Sequence, residues 1–274
     1  MVVRKMENVI EINGLSFGYQ RKKIFDSFSL TVKRGVFLTI IGNNSSGKTS
    51  LVKLITGLLP SKNEVRIMGI PLNKKNAKKI RSYIGVVFDN PNTGLIGETV
   101  MDSLAFPLEN LKYDQELILS MIADLAKQLK IESLLRKQVE ELSGGEKQLI
   151  SLASVLIRNP QILILDCAFT MLDSKEKERI YKILKKLHKT TPITIINITQ
   201  DIEESIYGDE IALMKDGKLL IHDQKEIVYS KEKLLRIMSL EPPFMVSLST
   251  KLGYYHLVDN VFYDMNEMVD VLWK

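Results

Sequence analysis

An eight-residue segment, GNNSSGKT from Gly42 to Thr49, has the residue types and spacing that bind phosphate. It satisfies the pattern G-x-x-x-x-G-K-[ST], in which backbone amides cradle phosphates, the lysine reaches the β- and γ-phosphates, and the last residue coordinates Mg²⁺. A buried strand before the loop and a helix after it favour this reading over a chance glycine-rich turn. The residues expected at the phosphates are Gly42, Asn43, Asn44, Ser45, Ser46, Gly47, Lys48, Thr49 and Ser50.

A second segment, LSGGEKQ, could also face an anion. Ser143 offers a hydroxyl, Gly144 and Gly145 let the backbone approach closely, and the amides at the start of the following helix point outward. Leu142 and Glu146 flank these three residues. Alone the pattern is weak evidence. It gains weight because it lies between the phosphate loop and an apolar strand, ILILD, that ends in an acid.

The elements that would position these segments follow from the spacing of apolar residues. Three runs, VIEINGLSF, FSLTVK and VFLTII, fill the first 41 residues and indicate an antiparallel layer. Beyond them, strands and helices alternate, which predicts a parallel core sheet. The predicted elements are strands at 36–41, 83–88, 162–166 and 193–198, helices at 48–58 and 175–189, a helical region at about 98–135, a helix from the LSGGE segment to before Pro160, and a mostly helical tail at 241–274.

Composition limits the class of protein. The chain has 274 residues, 45% of them hydrophobic, which suits one large domain with a small appendage. The net charge of +5 is mild. A basic group on a short predicted helix is interpreted as a solvated face rather than a lipid or nucleic-acid surface, and we expect no nucleic-acid partner; it comprises Lys74, Lys75, Lys78, Lys79 and Arg81.

Location follows from what the sequence lacks. One cysteine fits a reducing compartment, and no apolar run reaches the roughly 18 residues of a membrane span. No signal peptide is recognised at the start of the chain. We therefore expect a cytoplasmic protein, which would be a peripheral subunit on the cytoplasmic face if it serves a membrane.

Three segments follow one another along the chain: the phosphate loop, the LSGGE segment and the apolar strand that ends in Asp166. This order resembles that of the ATP-binding cassette (ABC) family. The resemblance implies an α/β P-loop cassette: a mixed core sheet with flanking helices, an antiparallel β layer and a helical subdomain at about 90–158. It also implies a nucleotide-binding domain at 1–230 and a small C-terminal extension at 231–274. ATP and Mg²⁺ are the ligands implied.

Two further site residues are implied by this resemblance. Asp166 matches the acid that holds Mg²⁺ through water, and Tyr19 matches the aromatic residue that stacks on adenine. Two plainer interpretations stay open, because Asp166 could cap the next turn and Tyr19 could be a surface aromatic of a strand. Ser45 replaces the glycine that members usually carry there, which changes the loop without removing a ligand.

Three positions depart from the family in its hydrolytic machinery. Cys167 stands where the general base is a glutamate, and a thiol is a poor proton acceptor. Gln200 stands where a histidine contacts the γ-phosphate, and Asp89 replaces a glutamine near Mg²⁺ and the attacking water. Because Lys48, Thr49 and Asp166 survive, we expect ATP binding with weak hydrolysis.

The family's cassettes pair head to tail, so the LSGGE segment of one chain completes the ATP site of its partner. By this resemblance Leu142, Ser143, Gly144, Gly145 and Glu146 serve the partner's ATP, and Asp173 lies at the dimer interface. A weak site beside an intact LSGGE segment favours a heterodimer whose second ATPase carries the working glutamate and histidine.

The segment YIGVVFDNPNTGLIGETVMDSLAFPLEN is similar to the energy-coupling-factor ATPases, where VFQNPDNQ and AFGLEN are typical. Asn90, Pro91 and Asn92 match, whereas Thr93 and Gly94 depart. The tail resembles this branch's C-terminal extension, which is used in ATPase pairing.

The branch implies a membrane importer of vitamins or metal ions, with two ATPases, a transmembrane scaffold subunit and a substrate-binding membrane subunit. Two alternatives remain: a non-hydrolytic ATP-binding module of a membrane complex, and a soluble ABC ATPase. The intact LSGGE segment disfavours the first. The second is disfavoured because the chain has neither long coiled coils nor a second cassette.

Overall fold

A six-stranded sheet forms the centre of the computed structural model, which describes residues 8–20, 22–61 and 64–273. Its strands are β3 (Phe37–Gly42), β6 (Ile84–Phe88), β7 (Ile162–Asp166), β8 (Thr194–Thr199), β9 (Glu210–Lys215) and β10 (Lys218–Gln224). Their order is β10-β9-β3-β8-β7-β6, and only the β9–β10 pair is antiparallel. All residues of β3, β7 and β8 are buried, as expected for parallel strands covered on both faces. The loops after β3, β6, β7 and β8 therefore meet at one edge.

A second, four-stranded sheet is antiparallel and packs against the first. It contains β1 (Asn8–Tyr19), β2 (Lys22–Lys33), β4 (Val65–Ile67) and β5 (Ile70–Pro71), in the order β2-β1-β4-β5. The prediction that VFLTII belongs to this layer is wrong, since β3 pairs in parallel with β8 and β9 of the core sheet. Those partners lie more than 150 residues further along the chain, so local alternation could not reveal them.

Ten helices surround the sheets in the described residues: α1 (Lys48–Ile55), α2 (Ala77–Tyr83), α3 (Val100–Glu109), α4 (Gln115–Leu129), α5 (Gly144–Leu156), α6 (Ser174–Thr190), α7 (Lys225–Tyr229), α8 (Glu232–Ile237), α9 (Phe244–Tyr254) and α10 (Met265–Leu272). Helix α1 ends three residues before the predicted Leu58. Gly57 has a φ of +68°, and the Arg81 guanidinium donates to the carbonyls of Thr56 and Gly57, which terminates the helix.

Packing ties the helices to the sheets in separate apolar clusters. Helices α3, α4 and α5 bury Leu104, Ile122 and Leu149 in one cluster with β6 and β7, and the bounds of a helical subdomain at about 90–158 stay a prediction. In the C-terminal region, Met238 packs with residues of the core sheet, whereas Met268 belongs to a small separate cluster. The division of the chain at residue 231 stays a prediction. No described helix combines the length and apolar character needed to cross a bilayer.

Candidate nucleotide site

A cavity of about 880 Å³ opens at the edge where the loops after the parallel strands meet. It brings together most of the residues predicted to bind nucleotide and all three departures from the family. The lining residues are Tyr19, Lys22, Ile24, Asn44, Ser45, Ser46, Gly47, Lys48, Thr49, Ser50, Val52, Lys53, Leu58, Phe88, Asp89, Asp166, Cys167, Thr170 and Gln200. The lining residues that were not predicted are Lys22, Ile24, Val52, Lys53, Leu58, Phe88 and Thr170, because no motif assigns any of them a role in the site.

The phosphate loop needs its glycines for space. A Cβ atom at Gly42 would lie 2.6 Å from the backbone carbonyl oxygen of Met214, and one at Gly47 would lie 2.9 Å from the ring of Phe25. Gly47 also has a φ of +102°. Ser45 has a φ of +66°, a conformation that costs a side-chain-bearing residue roughly 1–2 kcal/mol. The serine in place of the family's glycine is therefore accommodated with backbone strain.

Lys48 is buried, with its ammonium turned toward the loop. It donates to the carbonyls of Gly42 and Asn43, the second at 2.9 Å, and lies 3.4 Å from Ser46 Oγ. Burial lowers its pKa, although Cys167 and Asp166 act in the opposite direction. Among the described residues no side chain caps the N-terminus of α1, so its first amides are available to an anion. This cationic, amide-lined loop fits a polyphosphate.

Two carboxylates face the cavity from adjacent strands. Asp166 ends β7 and is buried, and burial raises its pKa, with the nearby charge of Asp89 adding to the effect. Asp89 follows β6 and is exposed, and its Oδ1 accepts a hydrogen bond of 2.9 Å from the amide of Asn90. Within the described residues, no group of three or more His, Cys, Asp or Glu could hold a metal by itself. Mg²⁺ in nucleotide sites is usually bound by one or two protein oxygens together with phosphate oxygens and water, and Thr49 and Asp166 suit that arrangement.

Cys167 lies directly after Asp166 in the left-handed region, with a φ of +53°. Its amide donates to the carbonyl of Ile198 at 2.9 Å, which fixes the backbone against β8. Burial and then the charge of Asp166 raise the pKa of the thiol above its ordinary value. The thiol is therefore neutral at pH 7, and a protonated thiol cannot accept a proton from water.

Gln200 follows β8 and contacts the phosphate loop across the cavity. Its Nε2 donates to Asn44 Oδ1 at 2.8 Å. The contact joins residues 156 positions apart, and no local pattern predicted it. Gln200 is exposed and can donate to an anion in the loop, but it cannot carry the positive charge of a histidine.

Tyr19 lies at the mouth of the cavity and is 43% exposed. Its hydroxyl is 3.3 Å from Ser50 Oγ, and its ring meets Phe17 edge to face with centroids 5.1 Å apart. The phenol is thus fixed beside the first turn of α1 while much of the side chain remains accessible. This placement is compatible with both interpretations of Tyr19.

The LSGGE segment lies outside this cavity and forms the start of α5. Ser143 caps the helix: its Oγ accepts from the Glu146 amide at 3.2 Å, and Glu146 Oε2 accepts from the Ser143 amide at 2.9 Å. This capping box lowers the pKa of Glu146, with a smaller contribution from Lys137. Asp173 also lies outside the cavity and caps α6 through the Glu176 amide at 2.9 Å. The groups that can face an anion at the start of α5 thus lie apart from the phosphate loop of the same chain.

Helix α5 nevertheless connects to the cavity through Gln148. Its Nε2 donates to the carbonyl of Phe88 at 2.8 Å, one residue before Asp89, while its buried Oε1 has no hydrogen-bond partner within the described residues. The side chain is almost completely buried. This contact was not predicted: Gln148 ends the LSGGEKQ segment, but nothing in that segment indicates a hydrogen bond to the end of β6.

Comparison with known proteins identifies similar chains. Residues 25–170 match the family model described as ABC transporter. The energy-coupling factor transporter ATP-binding protein EcfA1 of Mycoplasma pneumoniae is 37% identical over 263 residues, covering 95% of each chain. EcfA1 of Mesomycoplasma hyopneumoniae is 34% identical over 270 residues, covering 97% of this chain and 98% of its own.

Two solved structures have the same fold. One is cbiO1 of Clostridium perfringens, described as part of the ABC transporter complex cbiONQ; it has a TM-score of 0.79 and 26% identity, covering 92% of this chain and 100% of its own. The other is a dimeric ATP-binding cassette in a post-hydrolysis state with ADP and Pi; it has a TM-score of 0.69 and 27% identity, covering 78% of this chain and 98% of its own.

Proposed function

The chain belongs to the ABC transporter family, among the energy-coupling factor ATP-binding proteins, and on that premise we propose that it binds MgATP yet hydrolyses it weakly by itself. The observation that carries the proposal is the content of one cavity. Lys48, Thr49 and Asp166 face the same space as Cys167 and Gln200. The binding groups are retained, whereas the position of the base holds a neutral thiol.

The chain's own residues would divide the work as follows. The amides at the start of α1 and the ammonium of Lys48 hold the phosphates, and Lys48 gives up its bonds to loop carbonyls in exchange. Thr49 and Asp166 would hold Mg²⁺, which neutralises phosphate charge when bound. Asp89 would add a carboxylate to this cavity, and Gln200, which donates to Asn44 of the phosphate loop, would donate to a bound phosphate instead.

Hydrolysis needs a group that takes a proton from the attacking water. The residue after Asp166 would do this, and the raised pKa of Cys167 keeps its thiol protonated. Loss of a positioned base costs roughly 10²- to 10⁴-fold in rate. We therefore assign most turnover in the assembled complex to a second ATPase.

The start of α5 provides the link to that second ATPase. Ser143, Gly144 and Gly145 are accessible or half-exposed at the N-terminus of a 13-residue helix, outside this chain's own cavity. We propose that they complete the ATP site of the partner in a head-to-tail pair, with Asp173 at the interface. A dimeric relative has been solved with ADP and Pi, which supports pairing as a property of this fold.

The pair would act at the cytoplasmic face of a membrane. We propose a transmembrane scaffold subunit and a substrate-binding membrane subunit as further partners, with inward transport of a vitamin or metal ion. The names of the relatives and the description of cbiO1 support membership of a transporter complex, and the other subunits and the cargo are part of the proposal.

The test is nucleotide affinity and turnover of the purified full chain. We expect MgATP binding that is abolished by Lys48→Ala, with turnover well below roughly 1 s⁻¹, the low end of the usual range for enzymes. The variant Asp89→Gln/Cys167→Glu/Gln200→His should raise turnover without a comparable change in affinity. Turnover near 1 s⁻¹ in the natural chain would contradict the weak-site proposal, and absence of MgATP binding would contradict the whole assignment.

A further inference from the structure

A buried carboxylate lies behind Gln200 and is not used by the proposed mechanism. Glu204 belongs to the 3₁₀ helix Ile202–Tyr207 and is only 5% exposed. Its Oε2 accepts hydrogen bonds from Tyr181 at 2.6 Å and from Asn197 at 3.1 Å. Burial and the charge of Glu204 raise the pKa of Tyr181 well above its usual value, so the phenol stays protonated and donates.

The charge of Glu204 is balanced by Lys177 of helix α6. The ammonium lies 3.3 Å from Glu204 Oε1 and 3.5 Å from Asp201 Oδ2. Asp201 directly follows Gln200, and its Oδ1 accepts from the amide of Glu203 at 3.0 Å. One lysine on α6 therefore holds both ends of the segment 201–204.

The segment 201–204 directly follows Gln200 in the chain. Gln200 is exposed and reaches Asn44 from the end of β8, so its direction depends on the backbone on either side. On one side, Thr199 is fixed in β8, and its Oγ1 accepts from the Asp201 amide at 3.0 Å. On the other side, the Lys177 contacts hold residues 201 and 204 against α6.

We propose that Lys177 and Glu204 are positioning residues that hold Gln200 toward the γ-phosphate of bound ATP. The proposal rests on the proposed function, because it requires ATP in the cavity. Apolar packing alone would not need these charges: Tyr181 already stacks on Tyr207 at 4.7 Å and meets Phe169 edge to face at 5.3 Å. Removal of Lys177 would leave the buried carboxylate of Glu204 without its charged partner, which is costly, so the contact holds the segment firmly against α6.

The preference for ATP over ADP tests the proposal in the full chain. Only ATP has the γ-phosphate that Gln200 would contact, so ADP serves as an internal control. We expect Lys177→Met to weaken ATP binding by roughly three- to tenfold and to leave ADP binding unchanged, the size expected for one coupled contact. In a Gln200→Ala background, Lys177→Met should have no further effect on the ratio of ATP affinity to ADP affinity.

Lys182→Met is the matched control on the same helix. Lys182 pairs with Glu178 at 2.7 Å and Asp264 at 3.3 Å, away from residues 200–204, and its loss should leave the ratio unchanged. The positioning role would be overturned if Lys177→Met weakens the binding of ATP and of ADP equally. It would also be overturned if the effects of Lys177→Met and Gln200→Ala on ATP affinity are additive. A natural chain that binds neither nucleotide would instead refute the proposed function.

A second variant keeps the test decisive if Lys177→Met fails to fold. Lys177→Met/Glu204→Gln removes both charges together, so no unpaired carboxylate is left buried. We expect a thermal unfolding midpoint close to that of the natural chain. The ratio of ATP affinity to ADP affinity should fall, because the contact to Asp201 is lost. If this variant keeps both the thermal stability and the ratio of ATP to ADP affinity of the natural chain, the proposal is overturned. Lys177→Arg, which can keep both contacts, should restore the ratio.

Discussion

At the scale of single residues, binding and proton transfer are separated within one cavity. Lys48 and Asp166 occupy buried positions whose pKa values are shifted by burial, as expected for charged groups that a ligand would neutralise. Cys167, one residue further, carries a thiol whose pKa is raised by burial and by the charge of Asp166, so it stays neutral at pH 7. Gln200 keeps a hydrogen bond to Asn44 but carries no charge. These residues agree with the proposal that the site binds ATP and hydrolyses it weakly.

Tyr19 tests whether an aromatic ring contributes to nucleotide binding at the mouth of the cavity. If the ring stacks on adenine, Tyr19→Ala should weaken ATP binding by about 1–2 kcal/mol, because an aromatic contact of that size is lost. Tyr19→Phe is the matched control, since it keeps the ring and removes only the 3.3 Å contact to Ser50. Titration of both variants with MgATP checks the prediction. Unchanged affinity of Tyr19→Ala would make Tyr19 an ordinary strand aromatic.

At the scale of elements, the phosphate loop is supported from behind by the turn between β9 and β10. The amide of Gly217 donates to the carbonyl of Ser46 at 3.1 Å, and the Met214 carbonyl lies against Gly42. Gly217 has a φ of +73°, and a Cβ atom there would overlap the carbonyl of Ile24 on β2. Both sheets therefore meet the phosphate loop at this turn.

Gly217→Ala should consequently impair both folding stability and ATP binding. The control is Gly69→Ala in the turn between β4 and β5, where φ is +74° and no atom lies within 4 Å of the new Cβ. We expect Gly69→Ala to cost roughly 1–2 kcal/mol, the usual penalty of the left-handed region. Gly217→Ala should cost clearly more, since backbone atoms must move, and should weaken MgATP binding. Denaturant unfolding and nucleotide titration measure both effects, and equal costs for the two variants would contradict the prediction.

The elements also show how far sequence alone could go. The phosphate loop was predictable because its eight residues are contiguous and its strand and helix adjoin it. The pairing of β3 was not, since alternation fixes a strand but not its neighbours. The position of Cys167 directly after Asp166 identified it in the sequence. Its positive φ could not be predicted from the sequence. The Lys177–Glu204 pair was missed because it joins α6 to a short 3₁₀ helix, and neither segment has a distinguishing pattern.

At the scale of the whole molecule, the starts of helices α1 and α5 could each face an anion, and we propose different roles for them. The start of α1 serves the cavity of this chain, and the start of α5 lies outside it. A chain that pairs head to tail can lose hydrolysis at its own site while remaining essential to that of its partner. Damage at the two helix starts should therefore have unequal effects.

Ser143→Arg and Lys48→Ala compare these two roles in the assembled transporter. Ser143→Arg removes the capping hydroxyl and adds bulk at the start of α5, so the complex should lose most ATPase activity and transport while this chain's own ATP affinity is kept. Lys48→Ala should abolish nucleotide binding in this chain and leave a measurable fraction of activity, because the partner's phosphate loop is intact. ATPase and uptake assays on purified complexes measure both.

The asymmetry between these variants decides the outcome. If Lys48→Ala is as damaging as Ser143→Arg in a complex that still assembles, the weak-site proposal is wrong. If Ser143→Arg has no effect, there is no shared site, and a structural ATP-binding module becomes the better description.

The single cysteine gives this protein a built-in chemical reporter. Cys167 is the only thiol in the sequence, and it lines the nucleotide cavity. Its raised pKa keeps the thiolate fraction small below about pH 9, so iodoacetamide should label the folded chain more slowly than the denatured chain, with a rate that rises about tenfold per pH unit over that range. MgATP should protect the thiol in the natural chain and fail to protect it in Lys48→Ala. Equal labelling with and without MgATP would mean that the nucleotide lies elsewhere, whereas protection would allow occupancy of this one site to be followed by mass spectrometry inside an assembled transporter.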